Sequence, residues 1–133
     1  MTEIKYPARM KQLVDFDGLC KVGKITPTDI DGMIEFQGRG YLFYELKYEL
    51  AEVPLGQRIA LERLVQDTSV KEKRCVAIIA QHCVEDVNEP VKIECAVVRE
   101  VYLSDKKRWV EPTELTTVGD YTEKLLAYLS RRK

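Results

Sequence analysis

Residues 31–48 read DGMIEFQGRGYLFYELKY, and this stretch decides the fold. Two runs rich in aromatic and branched residues, 31–36 and 41–48, flank the glycine-containing residues 37–40. Aromatic and β-branched residues favour strands, and a short segment with glycine favours a tight turn. The pattern therefore predicts a β-hairpin.

Further elements follow the hairpin. Residues 55–66 repeat apolar side chains with the period of a helix that has one face in the core. Residues 75–80 are apolar almost throughout, which predicts a central strand covered on both faces. Alternation between residues 91 and 110 predicts one or two strands within that range, with a turn at 104–107.

The two termini carry weaker patterns. Residues 8–14 follow Pro7 and predict a short helix, and residues 19–25 predict a strand. Near the other end, Asp120 and Glu123 resemble a capping box that opens a C-terminal amphipathic helix. Together these elements predict an α/β protein whose mixed central sheet is flanked by helices.

Composition limits the class of protein. The chain has 133 residues, 45% of them apolar and 32% charged, which suits one domain over residues 1–133. Its net charge of -1 excludes a generally basic nucleic-acid coat, so an anionic partner must meet a local site. No apolar stretch is long enough to span a membrane, and the first residues lack the apolar region of a signal peptide. We therefore expect a cytoplasmic protein without a membrane partner.

Cysteine spacing gives no metal motif. Four cysteines are widely spaced with one histidine, and they match no zinc pattern: Cys20, Cys75, Cys83 and Cys95. We expect reduced thiols, most of them buried.

The second hairpin strand carries the groups with chemical potential. Residues two apart in a strand share a face, so Glu45 and Lys47 project to one side. If the hairpin loop has an odd number of residues, Asp31 lies directly opposite Glu45 on that face. A four-residue loop would instead send Asp31 to the other face.

Two neighbouring carboxylates suit a hard divalent cation. Mg²⁺ (or Mn²⁺) is typically held by one or two carboxylates, several waters and substrate phosphate oxygens, and the carbonyl oxygen of Leu46 is a further candidate ligand. Such a cation would polarise a phosphodiester and lower the pKa of a bound water. Lys47 would orient that water or stabilise charge in the transition state.

These residues resemble a known family. The segment Thr28-Asp29-Ile30-Asp31-Gly32, followed by Tyr44-Glu45-Leu46-Lys47, resembles the motif of the PD-(D/E)XK nuclease superfamily. The order of parts over residues 8–82 is similar to small Holliday-junction-resolvase-like and phage-type members. Those parts are a helix, an acidic hairpin, a helix beginning Gly56-Gln57 and an apolar strand.

The resemblance implies a restriction-endonuclease-like core and a divalent-metal-dependent DNA endonuclease, structure-specific in the resolvase manner, acting as a homodimer. It implies that Asp31 is the first metal ligand, Glu45 the second and Lys47 the catalytic lysine, and that Gln57 lies near the phosphate. The residue before Asp31 is isoleucine where the family has proline. Asp29 is therefore an alternative ligand or a partner of the ligands.

Each assignment has a plainer alternative. Glu45 and Lys47 would also suit a solvated ion pair of small energetic value. Asp29 suits a turn, Gln57 the first turn of a helix, and His82 the edge of a core rather than a catalytic base. The chain as a whole also suits a catalytically silent nuclease-fold factor that binds nucleic acid or protein, or a nuclease that acts on RNA.

Three basic clusters remain, at 71–74, 106–108 and 131–133. Such runs are usually solvated loops and tails, although they can steer nucleic-acid phosphates. Arg39, between two glycines at the hairpin tip, could contact a phosphate or simply serve the turn.

Overall fold

A five-stranded sheet organises the part of the chain that the computed structural model describes, residues 15–19 and 27–131. Its strands are β1 (Gly32–Glu35), β2 (Tyr41–Tyr48), β3 (Val76–His82), β4 (Val97–Leu103) and β5 (Arg108–Val110). The helices of this part are α1 (Leu55–Thr68) and α2 (Val118–Arg131), and short 3-10 turns cover Asp17–Leu19 and Ile93–Cys95. The predicted α/β class with a mixed sheet is confirmed.

The strands lie in the order β1-β2-β3-β4-β5. Only the pair β2 and β3 is parallel, because α1 carries the chain back across the sheet between them. The other neighbouring pairs are antiparallel. The apolar strand β3 is central, as the sequence predicted.

Each face of the sheet is covered by one helix. Leu42 and Ile78 belong to the core cluster on the α2 side, where the Tyr44 hydroxyl lies 2.8 Å from Thr122 Oγ1. Phe43, the next residue of β2, faces the other way. It packs in a second cluster with Ala77 and Tyr102 from the sheet and Leu61 and Val65 from α1.

The hairpin loop has an odd number of residues, as the predicted position of Asp31 opposite Glu45 requires. The Phe36 N–H donates to the Gly40 carbonyl at 3.0 Å, which leaves a loop of three residues, 37–39. Gly32 pairs with Tyr44, and the same register carries Asp31 opposite Glu45. The predicted hairpin and its register are therefore confirmed.

Two strands lie within residues 91–110, as predicted, but the alternating residues before Val97 belong to neither of them. The N–H groups of Cys95 and Ala96 donate at 3.0 Å to the carbonyls of Lys92 and Ile93 and close a 3-10 turn, so β4 begins only at Val97. Local turn hydrogen bonds outcompete the alternating pattern here.

The predicted cap of the C-terminal helix is displaced by one turn. Helix α2 begins at Val118, and the Asp120 N–H donates to Thr117 Oγ1 at 3.2 Å. Thr117 therefore caps the helix, and Asp120, three residues later, takes the place expected for Glu123.

Some sequence predictions fall on the N-terminal residues. The helix at 8–14 lies outside the described residues, and so does the strand at 19–25 except for Leu19, which ends a 3-10 turn. No helix in the described part of the chain is long and apolar enough to cross a membrane.

The cysteine prediction is correct only in part. Cys75, Cys83 and Cys95 are free thiols, but only Cys75 is buried, because the other two lie in the exposed segment between β3 and β4. Cys20 lies outside the described residues.

One glycine sets how closely the hairpin approaches β3. A Cβ on Gly40 would lie 1.7 Å from the Arg74 carbonyl oxygen, while a Cβ on Gly56 meets nothing within 4 Å. We expect Gly40→Ala to lower the free energy of unfolding by at least about 2 kcal/mol, because backbone must move to relieve the clash. Urea denaturation measures the change.

Gly56→Ala is the matched control. It should leave the free energy of unfolding unchanged or raise it by up to about 1 kcal/mol, since alanine favours a helix over glycine. Equal stability of the two alanine variants would contradict the close approach.

Candidate functional site

Glu45 lies in the interior of the sheet on the face that α1 covers. It pairs with Ile79 of β3, which in turn pairs with Glu100 of β4, and Asp31 lies on its other side. Glu45 is only 3% exposed and is the one buried charged residue in the described part of the chain. A carboxylate here is costly unless its oxygens find partners.

Asp31 extends the hairpin beyond the last pair of β1. Its Oδ2 accepts a hydrogen bond of 2.7 Å from the Leu46 N–H, where a neighbouring strand would otherwise supply a carbonyl. The bond fixes the exposed Asp31 carboxylate beside β2. Because the N–H and C=O of one strand residue point to the same side, the Leu46 carbonyl also faces this edge.

Lys47 partners only one oxygen of Glu45. Its Nζ lies 3.4 Å from Glu45 Oε1, and the lysine side chain is 22% exposed. Glu45 Oε2 is buried and has no hydrogen-bond partner within the described part of the chain. Glu45 therefore has one buried acceptor atom without a partner, and Asp31 and Lys47 lie beside this residue.

The surroundings of Glu45 raise its pKa above the ordinary value of 4.5. Burial is the main cause, and the negative charge of Asp31 adds to it. Lys47 opposes both through its charge and its hydrogen bond, and Asp29 adds the smallest contribution, which raises the pKa. The site therefore disfavours the anionic form of Glu45 unless more positive charge is supplied.

The remaining predicted residues are less closely connected. Asp29 is exposed before β1 and acts on Glu45 only through its charge. Gln57 lies half-buried in the first turn of α1, and within the described residues no hydrogen bond joins it to Asp31, Glu45 or Lys47. The structure thus links Asp31 to Leu46 and Glu45 to Lys47 by direct contacts, while Gln57 shares no hydrogen bond with them in the described part of the chain.

His82 has a role at the end of β3. Its Nδ1 accepts a hydrogen bond of 3.2 Å from the Val84 N–H, and its ring meets Tyr48 edge-on at 5.5 Å between ring centres. These contacts suit the edge-of-core alternative.

The sequence analysis missed a second charged group, which lies on the α1-covered face of the sheet with Glu45. Arg58 of α1 pairs with Glu100 and lies over the Trp109 ring, 5.2 Å from its centre, and Trp109 Nε1 donates to Glu62 at 2.8 Å. These contacts hold the first turns of α1 over β4 and β5. The signal in the sequence was Glu100 itself, a charge within the strand run 97–103.

The donor atoms fit a hard cation. Two carboxylates and a backbone carbonyl are the oxygen ligands that Mg²⁺ takes, and Glu45 Oε2 is an acceptor without a partner. Among the described residues no group of three or more His, Cys, Asp or Glu side chains is placed to hold a metal ion. A cation at this site would therefore complete its coordination with water and substrate oxygens.

In comparisons with known proteins, no family model, curated protein or solved structure matches this chain. The geometry of the site is therefore the guide to function.

The raised pKa of Glu45 predicts a pH-dependent stability. Between pH 4.5 and the raised pKa, the folded protein holds a proton on Glu45 that the unfolded chain releases. The contribution of Glu45 to the free energy of unfolding must then fall as pH rises through this window. We expect Glu45→Gln to remove that fall, so that its stability relative to the parent protein increases with pH.

Urea denaturation at a series of pH values measures the difference between the two proteins. Glu52→Gln, which neutralises an exposed carboxylate outside the site, is the control and should run parallel to the parent protein. A constant difference between parent and Glu45→Gln over the window would refute the raised pKa.

Proposed function

We propose that this chain is a divalent-metal-dependent DNA endonuclease with a restriction-endonuclease-like core of the PD-(D/E)XK kind. The observation that carries the proposal is the hairpin register, which sets Asp31 opposite Glu45 with Lys47 on the same face. The unpartnered Glu45 Oε2 supports it, because a buried acceptor between acidic groups is suited to a cation.

The order of elements also supports the proposal. A hairpin of β1 and β2 carries the acidic residues, α1 crosses over, and the apolar strand β3 returns parallel to β2. This is the order that the sequence resemblance implies for residues 31–82.

Asp31, Glu45 and the Leu46 carbonyl would hold Mg²⁺ or Mn²⁺, and Asp29 is the alternative acid. The cation would supply Lewis-acid polarisation of the phosphodiester. Lys47 pairs with Glu45 and, where the lysine is exposed, can stabilise negative charge that develops on a phosphate. The Gln57 amide, in the first turn of α1, would orient the same phosphate group. A homodimer would supply two such sites, one for each DNA strand.

A second candidate is a nuclease-fold factor that binds nucleic acid or protein without cleaving it. Lys47 already partners Glu45, and Asp31 already accepts the Leu46 N–H, so two of the acidic oxygens have partners within the chain. Such a factor would bind its partner with or without a divalent cation.

Cleavage of plasmid and branched DNA tests the proposal, with Mg²⁺, Mn²⁺ or EDTA in parallel reactions. We expect metal-dependent cutting that falls at least about 100-fold in Asp31→Ala, Glu45→Ala and Lys47→Ala, because the first two remove proposed metal ligands and the third removes the amine that would stabilise charge on the phosphate. Gln57→Ala should have a smaller effect. RNA digested in parallel shows which nucleic acid is the substrate.

Glu52→Ala is the control, since it removes an exposed carboxylate outside the site and should cut at the parental rate. Cutting by Asp31→Ala and Glu45→Ala at the parental rate would refute the proposed site. A folded parent protein that binds DNA without cutting it under any metal condition would favour the second candidate.

A further inference from the structure

The fold gathers separate segments at one end of the sheet, which we call the hairpin end. The turn at 37–40, residues 71–75 before β3 and the turn at 104–108 all lie there, because β2 and β3 begin and β4 ends at this edge. Helix α2 ends there too, since Arg39 Nη1 donates to the Leu129 carbonyl at 3.0 Å.

The hairpin end is strongly basic although the chain as a whole is not. These segments carry seven cationic residues and two acidic ones: Arg39, Lys71, Lys73, Arg74, Lys106, Lys107 and Arg108 against Glu72 and Asp105. One further carboxylate, that of Glu35, lies there and accepts a hydrogen bond from the Gly38 N–H. The loops at the opposite end, 49–54, 83–96 and 111–117, carry eight acidic residues and one cationic residue. Although the net charge is only -1, positive charge is concentrated at the hairpin end of the strands and negative charge at the opposite end.

A groove of about 570 Å³ lies at the hairpin end between the turn at 37–40, residues 71–74 and Leu129. The Arg74 N–H donates to the Arg39 carbonyl at 3.0 Å and ties its two walls together. Among the described residues, the lysines at 71 and 73 form no ion pair with a carboxylate. The groove is thus lined by four cationic residues and one acidic residue: Arg39, Lys71, Lys73 and Arg74 with Glu72.

We propose that the hairpin end binds the phosphodiester backbone of the nucleic acid, at a distance from the cleavage site. The choice of nucleic acid as the ligand rests on the proposed function. The register of β2 and β3 sets Arg74 beside Gly40, five residues before the row of Glu45. At about 3.3 Å per residue this offset along β2 is about 17 Å, which is the length of about five base pairs.

The acidic loops at 49–54, 83–96 and 111–117 determine from which end of the sheet a duplex approaches. Phosphates are attracted to the hairpin end and repelled by the carboxylates at the other end, so the duplex approaches along β2 from its first residue. Binding at the hairpin end requires no divalent cation, in contrast to contact of a phosphate with Asp31 and Glu45.

The test measures binding of a fluorescein-labelled DNA duplex of about 25 base pairs in EDTA, where cleavage plays no part. We expect Lys71→Glu/Lys73→Glu to weaken binding at least about tenfold and to reduce the slope of log K against log salt by about 2, since about two phosphate contacts are lost. The salt range runs from about 50 to about 200 mM KCl.

The matched control is Lys92→Glu/Lys124→Glu, which changes the net charge equally at exposed positions outside the hairpin end. It should bind within about threefold of the parent protein. Equal losses in both double variants, or no DNA binding by the parent protein, would overturn the inference. Salt-sensitive self-association that Lys71→Glu/Lys73→Glu abolishes, without DNA binding, would also overturn it and assign this end to a second copy of the chain.

The binding and cleavage results distinguish failure of this inference from failure of the proposed function. If the parent protein binds DNA through the hairpin end and never cuts it with Mg²⁺ or Mn²⁺, the inference holds and the nuclease proposal fails. If it cuts DNA and Lys71→Glu/Lys73→Glu binds and cuts as the parent does, the nuclease proposal holds and the inference fails.

Discussion

The contact between Gly40 and the backbone of Arg74 governs the arrangement of the sheet around the site. It brings the start of β2 against the start of β3, and the Arg74 N–H completes the contact by donating to the Arg39 carbonyl. The three-residue loop then sets the register of β1 against β2. Because the side-chain period of a strand is two, a slip of one residue would move Glu45 and Lys47 to the α2 face and separate them from Asp31.

Burial of Glu45 in the site lowers the stability of the folded protein. Glu45 is held where burial and the Asp31 charge both disfavour its anion, and one of its oxygens has no partner. A well-packed apolar residue at this position would avoid that cost. A buried acid with a raised pKa and an unsatisfied oxygen is typical of sites that bind a ligand or perform chemistry, so the buried glutamate supports the proposed site more than the motif alone does.

The sequence predicted those parts of the fold that depend on hydrophobic periodicity and on turn residues. The hairpin, the helix α1 and the central apolar strand followed from periodicity and turn residues, and so did the proximity of Asp31 to Glu45. Tertiary contacts decided the rest. The capping pattern occurs twice, at Thr117 with Asp120 and at Asp120 with Glu123, so it did not decide which residue caps α2. No local signal showed that Arg58 would pair with Glu100 forty-two residues away. Charge at the hairpin end was visible only as separate basic runs, which the strand directions then brought together.

The parallel pairing of β2 with β3 has a consequence for the order of folding. The β1 and β2 hairpin closes a short loop and can form early, so Asp31 and Glu45 meet while both are still hydrated. Docking of β3 must wait for the α1 crossover, and this later step removes water from Glu45. The protonation state of one glutamate is therefore coupled to the slow, non-local step of assembly rather than to the formation of the hairpin that carries it.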